Sequence, residues 1–214
     1  MGVRSRFLTV VLAGASLAVP AGSALADERT VEADGNPFAG GLQFDPANVR
    51  VNVGDTVTWI NTDNTVPHTA TEDHGLWDLT GTYGVPGNYG FGPGERRSRK
   101  FEAGTQRYFC KVHPAQMRGV VRVPVRTSVK NLKYGTRRLT VRWAPRKTTG
   151  DRVFDVQIKM DGGPWRKFRT GTHESTGTRS NSGAKTPYSL RARMRSRSKP
   201  SRATGWSPVV RVNL

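Results

Sequence analysis

At 214 residues, 35% of them hydrophobic and 23% charged, the chain is long enough for two small domains that each bury a core, and two are expected. A single cysteine excludes any internal disulfide. The formal charge of +18 is unevenly spread: residues 27–124 carry a net −2 and residues 125–214 a net +18, which predicts a domain boundary near Val123-Pro124-Val125.

The chain opens with Met-Gly-Val-Arg-Ser-Arg, continues through an apolar run from Phe7 to about Val19, and reaches Ala24-Leu25-Ala26 just before Asp27-Glu28. A basic start, an apolar run shorter than the roughly 20 residues of a spanning helix, and small residues at its end predict a signal peptide over residues 1–26, cleaved after Ala26. With no second apolar segment, the mature chain is expected to have no transmembrane segment and to be secreted or associated with the cell envelope.

After a glycine-rich lead-in from Asp34 to Gly41, the stretch from Gln43 to Ile60 alternates Phe44, Val49, Val51, Val53, Val57 and Trp59 with polar residues, and Gly54-Asp55 marks a turn. Such alternation with β-branched residues predicts strands with one buried face. Residues 75–94 are dense in Gly, Pro, Tyr and Asn and read as loop. Strands are expected again over Arg97–Phe101, Gly104–Cys110 and Gly119–Val123, giving an all-β sandwich over residues 27–124.

The most informative stretch is Tyr108-Phe109-Cys110-Lys111-Val112-His113-Pro114-Ala115-Gln116-Met117-Arg118-Gly119, in which a strand enters a short loop and leaves into another strand. Copper cycles between a cuprous state that favours sulfur and a cupric state that favours nitrogen, so a site serving both combines thiolate with imidazole. Two imidazoles, one thiolate and a weak axial thioether meet that need. The loop supplies Cys110, His113 and Met117, and His68, just beyond the strand ending at Trp59-Ile60, is the best candidate for the second imidazole. His74 and His173 read as surface residues.

Val53-Gly54-Asp55-Thr56-Val57-Thr58-Trp59, Asn61, Pro67-His68-Thr69 and Tyr108-Phe109-Cys110 with His113, Pro114 and Met117 resemble the plastocyanin-like and amicyanin-like cupredoxins over roughly residues 40–124. The resemblance implies a Greek-key β-sandwich and one blue, type 1 copper ion cycling between Cu(I) and Cu(II) in one-electron transfer with a redox partner protein. It places the ligands on His68, Cys110, His113 and Met117. Three residues separate His113 from Met117, where amicyanin-like loops have two and plastocyanin-like loops four. Azurin-like relatives also have three, which favours Met117; at the amicyanin spacing the axial position falls on Gln116. Thr69 stands where plastocyanins carry an Asn that ties the ligand loops together, leaving that role open between Asn61 and Thr69.

Residues 125–214 repeat the β pattern at Leu139-Val141-Trp143, Val153–Met160, Trp165, Tyr188–Met194 and Trp206–Val212. Short strands between Gly, Pro, Ser and Thr clusters predict a second, immunoglobulin-like sandwich with Trp143 and Tyr188 in its core. Leu139-Thr140-Val141-Arg142-Trp143, Phe154-Asp155-Val156-Gln157, Tyr188–Arg193 and Gly205-Trp206-Ser207-Pro208-Val209 resemble a fibronectin type III domain. The net +18 of this half attracts polyanions. No nucleic-acid recognition motif is visible, and an anionic cell-envelope polymer or an acidic redox partner is the expected counterpart.

An enzyme is disfavoured, because a copper oxidase or nitrite reductase needs further copper centres and four histidines are too few to build them. Two alternatives to electron transfer are copper sequestration or delivery involving a copper donor or acceptor, and adhesion at the cell envelope.

Overall fold

A computed structural model of the chain describes residues 27–35, 41–80 and 90–214, all of them without helix. The first half pairs two four-stranded sheets. One runs β2 (Gln43–Asp45), β1 (Glu28–Asp34), β4 (Thr56–Asn61) and β6 (Arg96–Lys100); the other runs β3 (Asn48–Arg50), β8 (Arg118–Val123), β7 (Gly104–Phe109) and β5 (Thr71–Glu72). Strand β1 runs parallel to β4, with Val31 beside Trp59, and β3 runs parallel to β8. The remaining neighbours are antiparallel.

The alternation seen in the sequence is what closes these sheets over a core. Val57 and Trp59 from β4, Phe44 from β2 and Tyr108 from β7 are all fully or almost fully buried. Their rings meet edge on or tilted: Trp59 and Tyr108 lie 5.3 Å apart at 86°, and Phe44 and Tyr108 4.9 Å apart. Such arrangements add roughly 0.5–1.5 kcal/mol per pair beyond the area buried. Strand β1 was not anticipated, because only Val31 and Ala33 of its seven residues are buried and its apolar pattern is too short to stand out.

The second half faces a three-stranded sheet, β13 (Thr176–Ser182), β10 (Thr136–Arg142) and β9 (Arg126–Asn131), against a four-stranded one, β12 (Arg166–Thr172), β11 (Arg152–Met160), β14 (Pro187–Ser196) and β15 (Val210–Asn213). Leu139, Val141, Trp143, Phe154, Val156, Leu190, Ala192 and Met194 fill the space between them, and Tyr188 is buried as well. Strands β9 and β13 escaped the sequence reading because their side chains are almost all polar. Strand β15 begins at Val210, later than expected: Gly205 bridges Thr105 of β7, and although Ser207 N reaches Ala192 O of β14, Pro208 that follows has no N–H to continue a ladder.

That bridge belongs to a junction wider than the Pro124 segment alone. Thr105 and Gly205 exchange two backbone hydrogen bonds of 2.9 Å, and Ala103 N donates to Trp143 O at 2.8 Å. The Thr105 hydroxyl donates to Trp206 O at 2.8 Å, and Arg202 donates to the carbonyls of His74 and Gly75 at 2.7 and 2.9 Å. No described helix is long and apolar enough to cross a membrane. The expected signal peptide, residues 1–26, lies outside the described residues.

Candidate metal centre

His68 stands on a loop that its own short polar side chains fold. Asn61, the last residue of β4, accepts the amide of Asp63 at 2.9 Å and donates to the carbonyls of Val66 and Phe91, both at 2.9 Å. Asp63 in turn accepts the amide and the hydroxyl of Thr65, each at 2.7 Å. Two successive side-chain-to-backbone turns of this kind replace the ladder bonds that the chain gives up on leaving the sheet. His68 then exchanges two backbone bonds with Phe91, at 3.1 and 2.8 Å. The approach requires glycine at position 90, where φ is +87° and a Cβ would strike the His68 carbonyl oxygen.

Cys110 is the first residue beyond β7 and continues the inward row of Gln106 and Tyr108. The loop that follows is pinned shut: Cys110 N donates to Met117 O and Met117 N to His113 O, both at 3.0 Å. This closure turns His113 back toward Cys110, buries Met117 fully and leaves Gln116 exposed. Gly119 sits opposite Tyr108, whose ring occupies the space a Cβ would need.

One ligand atom from each of His68, Cys110 and His113 lies within 4.8 Å of the other two. His68 Nδ1 is 3.8 Å from Cys110 Sγ, and the two imidazole rings are 5.3 Å apart. Donors held about 2.0–2.3 Å from a common ion stand about 3.5–4 Å from one another, so this spacing fits a three-coordinate metal. His113 Nδ1 is buried without a hydrogen-bond partner among the described residues. Such an orphan is costly unless a ligand completes it. Soft sulfur beside two imidazoles suits copper, and the donor set present fits that ion.

Burial holds His68 below the ordinary imidazole range, the neighbouring His113 pushes it the same way, and Asp63 opposes them. His68 is therefore neutral near pH 7 with a lone pair free for a metal, as a coordinating imidazole must be. Its other nitrogen, Nε2, faces Asp63 Oδ2 at 3.5 Å, with both groups buried. Burial alone would raise the Asp63 carboxyl, but bonds from Thr65 and Val66 hold it below the usual range and keep it ionised.

Thr69 links the two ligand loops: its amide donates to Cys110 Sγ at 3.3 Å and its hydroxyl accepts from Lys111 N at 2.7 Å. The question left open between Asn61 and Thr69 thus divides, Asn61 shaping the His68 loop and Thr69 joining it to Cys110. Asp63 went unnoticed in the sequence, although Asn-x-Asp-x-Thr is a recognisable run of turn formers. His74 lies outside the cluster with its side chain about half exposed, 3.2 Å from Glu72. His173 is half-buried rather than on the surface, with Nδ1 3.3 Å from the Thr148 hydroxyl.

Residues 30–124 match the family model for copper binding proteins of the plastocyanin/azurin family. Plastocyanin from Scenedesmus fuscus is 37% identical over 89 residues, covering 40% of this chain and 90% of that protein. Similar solved structures include a purple cupredoxin from Nitrosopumilus maritimus (29% identity, 44% of this chain and 98% of that one, TM-score 0.34) and an oxidized mutant of amicyanin (27% identity, 44% and 80%, TM-score 0.33). The chain belongs to the plastocyanin/azurin family of copper-binding, electron-transfer proteins.

Proposed function

We propose that His68, Cys110, His113 and Met117 hold a single type 1 copper ion, and that the chain passes one electron at a time to and from a redox partner protein. Bound copper supplies the one-electron Cu(I)/Cu(II) couple. The observation that carries this reading is the convergence of His68, Cys110 and His113 within 4.8 Å on two loops already tied together by Thr69. A ligand set fixed before the metal arrives has little to rearrange when its charge changes. The full burial of Met117 beside the exposure of Gln116 supports the thioether as the residue that would complete the ligand set. His113 is half-buried next to exposed Pro114, Ala115 and Gln116, which makes its outer edge the natural route for the electron.

In this reading residues 1–26 are a signal peptide, residues 27–124 the copper domain and residues 125–214 a fibronectin type III-like domain, and the mature protein works outside the cytoplasm. The three-plus-four strand arrangement of the second half supports the fibronectin comparison. Its 22 basic residues against 4 acidic ones hold the copper domain near an anionic cell-envelope polymer or an acidic partner.

Voltammetry of the copper-loaded protein tests the central step. A reversible one-electron wave, lost in Cys110→Ser, is the expected result. Slow electron exchange combined with rapid surrender of copper to a chelator would instead identify a protein of copper sequestration or delivery.

A further inference from the structure

Strand β10 turns Leu139 and Val141 into the core and Arg138, Thr140 and Arg142 outward. Its register with β9 sets Arg142 opposite Arg126, Thr140 opposite Ser128 and Arg138 opposite Lys130. On its other side β13 brings Thr176, Thr178 and Ser180 alongside the same three residues. Directly opposed side chains stand about 4.5–5.5 Å apart at Cβ, where like charges weaken the sheet. This sheet therefore carries two cross-strand cation pairs with a hydroxyl pair between them.

Among the described residues no ion pair offsets them. The acidic residues of this half are Asp151, Asp155, Asp161 and Glu174. Among the described residues their ion pairs join Asp155 to Arg193 and Arg195, and Glu174 to Lys147. Among the described residues the Arg142 guanidinium makes one hydrogen bond, a 3.4 Å contact to Pro145 O, and Arg126 makes no ion pair.

At the Arg126–Arg142 end, the sheet meets the β3–β4 turn across a cleft of about 470 Å³. Arg126, Ser128, Thr140 and Arg142 line one wall, and Gly54 and Asp55 the other. The Asp55 carboxylate is committed to its own turn: one oxygen accepts Asp27 N at 3.2 Å, and the other accepts Asn52 N and Asn52 Nδ2 at 2.8 and 3.1 Å. Two guanidinium forks and two hydroxyls facing one cavity supply more donors than the two oxygens of a carboxylate can use, and they suit a tetrahedral oxyanion. The second cation pair, Lys130 and Arg138, lies four residues further along the strands, about 13 Å away.

We propose that this cleft binds a phosphate group, and that the ligand is a phosphodiester-linked polyol chain whose successive phosphates run from the Arg126–Arg142 pair toward the Lys130–Arg138 pair. The proposal rests on the reading of the basic half as the part that meets an anionic polymer, and it gives that polymer a chemistry and a place. Single-stranded nucleic acids are held on successive stacking platforms; the strand rows of this face offer none, and the exposed ring of Tyr134 stands alone in the β9–β10 turn, beyond the second cation pair.

The test uses the full mature protein, a double variant Arg126→Gln/Arg142→Thr, and a charge-matched control, Lys167→Gln/Arg169→Gln, on the opposite sheet. Poly(glycerol phosphate) binds the wild type; the double variant binds about tenfold or more weakly, the control within about threefold of wild type. Inorganic phosphate raises the unfolding midpoint of the wild type and the control but not of the double variant, which without phosphate is at least as stable as the wild type because a like-charge pair has gone. Equal weakening in both variants would overturn the site while leaving an anionic partner in place. Preference for single-stranded DNA of equal charge would overturn the polyol assignment, and no binding of any polyanion by the wild type would remove the underlying reading as well.

Discussion

Thr69 and Cys110 meet across 3.3 Å, the amide of one donating to the sulfur of the other, while the Thr69 hydroxyl accepts the amide of Lys111 at 2.7 Å. One residue on the His68 loop thus fixes the position of the thiol and of the backbone that follows it. Thr69→Val keeps the shape and the amide but strands the Lys111 N–H, at a cost of about 1–3 kcal/mol. Denaturant unfolding of the metal-free variant should show that loss, and its copper-loaded form should absorb at a shifted wavelength because the backbone that follows Cys110 is held less firmly. An unchanged midpoint would mean that water replaces the hydroxyl at no cost.

Asp63 Oδ2 faces His68 Nε2 from behind at 3.5 Å. Asp63→Asn preserves the oxygen that accepts from Thr65 but removes the charge facing Nε2. Carboxylates in this position typically contribute 10- to 100-fold in metal affinity, so copper should bind the variant about ten times more weakly or worse in a chelator competition. Wild-type affinity would show that Asp63 serves the loop alone.

Met117 and Gln116 are separable by potential. Replacing a buried thioether by an amide favours the cupric state, so Met117→Gln should lower the reduction potential, while Gln116→Ala should leave it unchanged. The opposite pattern would assign the fourth ligand to Gln116.

Asp151 ties the start of β11 to the end of β14, accepting the Ser196 hydroxyl at 2.6 Å and the Ser198 amide at 2.7 Å. Those bonds pull its carboxyl from the ordinary 3.8 down to about 2. A carboxyl depressed in the folded state binds its proton more readily when unfolded, so its stabilisation is present above about pH 4 and disappears as pH falls toward 2. The difference in stability between wild type and Asp151→Asn should therefore shrink across that interval and be flat above it.

The parts of this molecule that were legible in the sequence are those where chemistry is concentrated in few residue types. His68, Cys110 and His113 stand in a pattern that only a metal explains economically, and the valine and tryptophan alternation from Val49 to Trp59 marks its strands directly. Strands such as β1 and β13 were invisible because they owe their place to pairing with β4 and β10 rather than to apolar residues of their own. The opposition of Arg126 to Arg142 is likewise a property of register: sixteen positions apart in the chain, they meet only once β9 and β10 align.

The central claim is a thiolate-bound copper at Cys110, and a visible absorption titration of the protein with Cu(II) tests it most directly. An intense charge-transfer band that saturates at one equivalent, and that is absent from Cys110→Ser, is the predicted result. Stoichiometric copper uptake without colour, or a band that survives the loss of Cys110, would contradict it.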